Sequence, residues 1–178
     1  MSESTSSPRL TERDLLDRLA ARHSQVSGNG PDWAFMEHVR DGAGFAGSTI
    51  DALAMHAWWS RQHELHAYEI KTSTADFRRE LRDGCAKSAS WRSLVDYFWI
   101  VAPAELVGIV EELPEDWGLL VTKGAGLERI RQASRLTVRP AGFEAGADLP
   151  RPIVAAMLRA QIRQSMKVGG SWRKVTGR

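Results

Sequence analysis

Cysteine is almost missing from this chain of 178 residues, with Cys85 its single example. A lone cysteine excludes an internal disulfide and any cysteine-rich zinc site. Long apolar runs are missing too: no stretch of about 18 uncharged apolar residues occurs, so no membrane-spanning helix is expected. The opening Met1-Ser-Glu-Ser-Thr-Ser-Ser-Pro8 lacks the hydrophobic centre of a secretory signal, and the expected location is cytoplasmic. Net charge is only +2, too little to name a partner. Lysine is scarce, 5 residues against 19 arginines, a compositional hint of a GC-rich genome. Acids are absent from residues 151–178, where Arg151, Arg159, Arg163, Lys167, Arg173, Lys174 and Arg178 stand. That segment is either a solvated helix face with a tail or a surface that meets nucleic-acid phosphates.

What is present describes one globular domain: 43% hydrophobic and 26% charged residues, in a chain long enough to bury roughly 70% of its unfolded surface. The expected organisation is a disordered N-terminus over 1–10, a main domain over 11–138, a Pro/Gly loop over 139–150, and a basic C-terminal helix and tail over 151–178. Thr11-Glu-Arg-Asp14 reads as a capping box ahead of Leu15, Leu16 and Leu19. Strands are expected at Ile50–Met55, Glu64–Lys71 and Tyr97–Ala102, and a hairpin turns at Lys123-Gly-Ala-Gly126. Helices are expected near Asp76–Leu81, Lys87–Asp96, Ala104–Glu112 and Ile153–Met166, the last with Ile153, Ala156, Met157 and Ala160 on its docking face. Helix, strands, helices, strands is the order of an α/β layer domain with a mixed sheet.

Chemistry concentrates at Glu69-Ile70-Lys71. Period-2 reading puts Glu69 and Lys71 on one strand face and Ile70 on the other. Chance alone supplies about 0.6 acid-x-Lys matches in such a composition, so the tripeptide gains weight from its strand setting and from Asp51 one strand earlier. Two carboxylates beside an ammonium can hold a divalent metal and polarise a water. The plainer alternatives are a solvated ion pair on an edge strand for Glu69 and Lys71, and a cap for backbone N–H groups for Asp51. His63-Glu-Leu-His66 has the wrong spacing and setting for a zinc-protease helix. Lys123-Gly-Ala-Gly126 lacks the Gly-Lys-Ser/Thr of a P-loop. Trp33, Trp58 and Trp59 read as packing residues, and Cys85 as a small apolar filler.

The blocks Trp33-Ala-Phe-Met-Glu37, Ile50-Asp-Ala-Leu-Ala-Met55, Tyr68-Glu-Ile-Lys-Thr-Ser73, Asp76-Phe77, Glu80-Leu81, Trp99-Ile-Val-Ala-Pro103 and Leu113–Leu120 occur in this order. Together they resemble the PD-(D/E)XK nuclease superfamily, and more narrowly the MmcB-like DNA repair family of bacteria and phages, over about residues 31–135. The chain departs from that pattern at Thr49-Ile50, where a basic residue is expected near the acid. The resemblance implies a restriction-endonuclease-like three-layer fold, a central mixed β-sheet flanked by helices. It implies a Mg²⁺-dependent deoxyribonuclease, with Mn²⁺ substituting, acting on DNA in repair or recombination in a bacterial or phage-infected cell. A homodimer or a repair-complex partner is compatible with it, and a membrane is not. Asp51 and Glu69 would be metal ligands, with the Ile70 carbonyl as a third. Lys71 would act on the attacking water and the developing charge. Glu37, on the preceding helix, would be an outer carboxylate or a ligand of a second metal. The first rival is a DNA-binding module on the same fold with hydrolysis lost, and the second an interaction protein whose acids are structural. Nuclease and binding module alike would grip DNA through Arg78, Arg79, Arg82, Arg159, Arg163, Arg173 and Lys174.

Overall fold

The computed structural model describes residues 10–28, 30–41, 48–82, 86–136 and 151–169. Helix α1 (Glu12–Arg22) starts as its sequence dictates. The Thr11 hydroxyl accepts from the Asp14 N–H at 3.2 Å, and the Thr11 N–H donates to the Asp14 carboxylate at 2.8 Å. Two otherwise orphaned donors are satisfied reciprocally. Leu15, Leu16 and Leu19 are buried on one side of the helix, the apolar stripe of an amphipathic helix.

A two-residue pairing of β1 (Val26–Ser27) with β2 (Gly30–Pro31) leads into the main sheet. That sheet has six strands in sequential order: β3 (Trp33–Arg40), β4 (Thr49–His56), β5 (Leu65–Ile70), β6 (Tyr97–Ala102), β7 (Gly118–Lys123) and β8 (Gly126–Arg131). The β3–β4, β4–β5 and β7–β8 pairs are antiparallel, and β5–β6 and β6–β7 are parallel. Parallel neighbours need crossovers. Helices α2 (Thr74–Arg82) and α3 (Ala86–Arg92) make the first, and a 3₁₀ helix (Ala104–Glu112) makes the second. Helix α4 (Arg151–Gly169) packs along β3 and so covers an edge strand.

Two cores result. Leu15, Leu16 and Leu19 of α1 pack with Ala52, Ala54, Tyr68, Ile70, Trp99 and Val101 on one face. Phe77 of α2, Trp91 of α3 and Ile153, Ala156, Met157 and Ala160 of α4 pack with Leu53, Phe98 and Ile100 on the other. The architecture is therefore a three-layer α/β fold with a mixed sheet, as expected. Gly118 is fixed by packing: a Cβ there would lie 2.2 Å from the Trp99 ring. The expected disordered N-terminus, the loop at 139–150, Cys85, Arg173 and Lys174 lie outside the described residues, Leu10 excepted.

The α1 face carries a buried histidine, His23, and a half-buried one, His66. Burial first, then His66 and Arg22, push the His23 pKa down to about 3. Burial likewise pushes His66 down to about 4, with Arg61, His56 and Arg22 adding to it against an opposing Asp96. Both values lie below the unfolded value of about 6.5, so as pH falls the unfolded chain binds protons first. Stability is full above about pH 6.5 and is lost as pH falls towards the folded values, at ~1.4 kcal/mol per histidine per pH unit. Urea midpoints should therefore drop between pH 7 and pH 5, and drop less in a His66→Gln variant. A midpoint that stays constant over that interval contradicts neutral imidazoles at His23 and His66.

Candidate metal centre

Strands β4 and β5 begin to separate where the candidate residues stand. Their ladder ends at the pair Ala52↔Tyr68. The next N–H that a longer ladder would have engaged, that of Ile70, donates instead to the Asp51 carboxylate at 2.7 Å. Asp51 therefore bridges the gap from its own strand to the end of β5, next to Glu69. The cap for a backbone N–H that its sequence position allowed is present. It also fixes where the carboxylate sits.

A second irregularity turns Asp51 toward α1. On β3, Met36 and Val39 both enter the core on the α2 side, although regular alternation would separate them. On β4, Leu53 and Ile50 do the same. The residues between, His38 and Asp51, lie opposite one another, flanked by the pairs Glu37↔Ala52 and Val39↔Ile50. His38 has φ 51°, a left-handed conformation rare outside glycine, and such strain concentrates at functional sites. Glu12, in the first turn of α1, completes the group: one ligand atom each from Glu12, His38 and Asp51 lie within 4.8 Å of one another. Three elements far apart in sequence thus deliver two carboxylates and an imidazole to one point.

Glu69 and Lys71 share the face opposite Ile70, as the alternation predicts, but that is the α2 side. Asp51 stands with Glu12 and His38 on the α1 side, so the structure does not bring Asp51 and Glu69 together as ligands of one ion. The Lys71 ammonium donates to Glu69 at 2.9 Å and to Glu80 of α2 at 3.0 Å, and Ser88 of α3 donates to Glu80 at 2.9 Å. This is no solvated edge-strand pair. β5 is interior to the sheet, and Glu69 and Lys71 are only 3% and 8% exposed. Burial works against the Lys71 charge, but the two carboxylates outweigh it and raise its pKa above the ordinary lysine value. Ile70 turns its side chain into the α1-side core.

The remaining candidates divide. Glu37 is not on a helix: it lies on β3, where apolar Trp33, Phe35 and Met36 favour a strand, and it faces α1. Arg13 grips it with two bonds of 2.7 Å, so its role is to hold α1 to the sheet. Arg78 is paired bidentately with Glu112, and Arg79 lies 3.4 Å from Asp76. Arg82 and Arg159 are exposed. Arg163 donates to the backbone carbonyl of His38 at 3.3 Å, which sets a cation beside the metal-ligand group.

Glu12, His38, Glu80 and Ser88 are the residues that sequence reasoning missed. Glu80 left a readable signal, an acid between the core-facing Phe77 and Leu81 of an amphipathic helix. Glu12 was hidden inside a capping box, and nothing in the local pattern marks His38. No helix among the described residues is long and apolar enough to cross a membrane.

No family model matches this chain, and no curated protein matches it. Among solved structures it is similar to a protein of unknown function from Silicibacter pomeroyi, at 18% identity and a TM-score of 0.62. The match covers 94% of this chain and 99% of that one. At that identity the likeness speaks for the fold alone.

Removing Lys71 should expose how tightly its cluster is balanced. Lys71→Met leaves Glu69 and Glu80 buried without their cation and should cost ~3–5 kcal/mol at pH 7. Because the folded lysine pKa is raised, its contribution is full below the unfolded value near ~10.4 and is lost as pH rises through the folded one. The gap between wild type and variant in urea denaturation should therefore narrow on the alkaline side. A loss under ~1 kcal/mol at pH 7 would describe an exposed pair instead.

Proposed function

We propose that this chain is a metal-dependent nuclease that hydrolyses DNA phosphodiester bonds in repair or recombination, with the PD-(D/E)XK superfamily as its expected kin. The observation that carries the reading is the convergence of Glu12, His38 and Asp51 within 4.8 Å, with the Asp51 carboxylate held at the end of β5 by the Ile70 N–H. The donor set fits a divalent ion. Ligand atoms about 2.1 Å from an octahedral ion lie at most ~4.2 Å apart, so closing on one asks for a small adjustment. Oxygen donors suit Mg²⁺ and Mn²⁺, and imidazole tilts the preference away from Mg²⁺. Glu12, His38 and Asp51 would hold the ion, which supplies charge neutralisation at a phosphate and a more acidic water.

Lys71 keeps its proton through neutral pH, but on the α2 side of the sheet it is taken up by Glu69 and Glu80, so neutralising a phosphate at the Glu12, His38 and Asp51 group would fall to the ion. Arg163, which donates to the His38 carbonyl, is a cation placed to meet a phosphate there. A second reading has its own support. Lys71 is buried and already bonded to two carboxylates, an arrangement that also suits a DNA-binding module without hydrolysis.

Labelled single- and double-stranded DNA and RNA, incubated with the protein and Mg²⁺ or Mn²⁺, separate the readings. The nuclease reading expects DNA cleavage, at least as fast with Mn²⁺ as with Mg²⁺. It also expects a loss of ~10²–10³-fold or more in Asp51→Asn and in His38→Ala. Binding with no cleavage under either metal favours the second reading. Cleavage that persists unchanged in Asp51→Asn contradicts the site.

A further inference from the structure

At the other end of α1 the same face of the sheet holds a cavity of about 410 Å³, within the range of small-molecule sites. Glu12 opens α1 and Arg22 closes it, so at about 1.5 Å per residue this cavity lies ~15 Å along the helix from the metal-ligand group. Its walls are flat and aromatic. His66 stacks parallel to Trp99 with ring planes 7° apart, and Tyr97 and Trp33 lie 4.6 and 5.2 Å from the His66 ring. Its mouth carries Arg22, Arg61 and Arg129 against one acid, Glu64. All three arginines are exposed.

The hydrogen-bonding inventory leaves donors over. The Trp99 indole donates to His66 Nδ1 at 3.1 Å. A neutral His66 therefore carries its proton on Nε2, and that atom is buried without a hydrogen-bond partner. Glu64 is 3.8 Å away, too far to accept it. The Tyr68 hydroxyl, which burial keeps protonated, lies 2.9 Å from His23 Nε2. With Tyr68 donating there, His23 Nδ1 carries the other proton, and it too is buried without a partner. A buried, unpaired donor is costly, and core residues meant only to pack would not need two neutral imidazoles.

From these features we infer that the cavity is a nucleotide site, its aromatic and imidazole walls taking a base and its arginines a phosphate. Base–aromatic stacking accounts for flat walls without sequence selectivity. Unpaired donors suit the carbonyl and ring-nitrogen acceptors of a base. Three guanidiniums exceed the needs of one carboxylate and match a phosphomonoester. The ligand is either a free nucleoside monophosphate or one unstacked nucleotide of a strand. This inference does not depend on the metal centre.

The test is a titration in EDTA, followed by tryptophan fluorescence, with AMP, dTMP, inorganic phosphate and a 5′-phosphorylated single-stranded 12-mer. AMP or dTMP should quench fluorescence saturably below millimolar concentration, and inorganic phosphate should not. Saturation by the 12-mer with none by the mononucleotides identifies the strand as the source. Arg22→Glu combined with Arg129→Glu, both at exposed positions, should weaken binding by ~10-fold or more per arginine. Asp51→Asn should bind as wild type, which separates this site from the metal centre. The inference is overturned if neither nucleotides nor the 12-mer bind, if inorganic phosphate binds equally well, or if the double arginine variant binds unchanged.

Discussion

The hydrogen bond from the Ile70 N–H to the Asp51 carboxylate is the constraint on which the candidate site depends. An antiparallel ladder satisfies its own donors, so wherever two strands part, some other acceptor must take over. Here the acceptor is a side chain, and the substitution has geometric consequences. It holds Asp51 at the end of β5 rather than in solvent. It leaves β5 free to run on to Lys71, whose N–H donates to the Val101 carbonyl of β6 at 2.9 Å. The left-handed His38 opposite Asp51 then lets β3 follow the same break without losing register on either side.

On the far face the controlling term is charge. Two carboxylates and one ammonium, all buried, are tolerable only because each is bonded to another, with Ser88 serving the outer carboxylate. This cluster joins α2 and α3 to β5, so the crossover that makes β5 and β6 parallel is anchored at the lysine. A lysine held this firmly and kept charged is what a joint between these helices and the sheet requires.

Much of the fold was legible because its signals are local. Thr11–Asp14 announces a helix start, Tyr97–Ala102 is aromatic and β-branched up to a proline, and Ile153, Ala156, Met157 and Ala160 recur at helical spacing. The alternation at 69–71 correctly separated Glu69 and Lys71 from Ile70. What failed was the reading of residues whose position is set by tertiary contacts. Glu37 was expected on a helix, yet strand pairing with Ala52 and the grip of Arg13 decide its place. His38 and Asp51 break the period-2 rule together, and a rule based on regular alternation cannot foresee its own interruption. Glu12 reaches the site only because α1 crosses the sheet there, a fact of packing that no spacing within α1 encodes.

The central claim is that Glu12, His38 and Asp51 form one metal site. Electron paramagnetic resonance of Mn²⁺ added to the protein addresses it directly, because coupling to an imidazole nitrogen reports histidine ligation. The account predicts one ion per chain with such coupling, loss of the coupling in His38→Ala, and loss of most binding in Asp51→Asn. Mn²⁺ that binds without nitrogen coupling, or as strongly after Asp51→Asn, would contradict it.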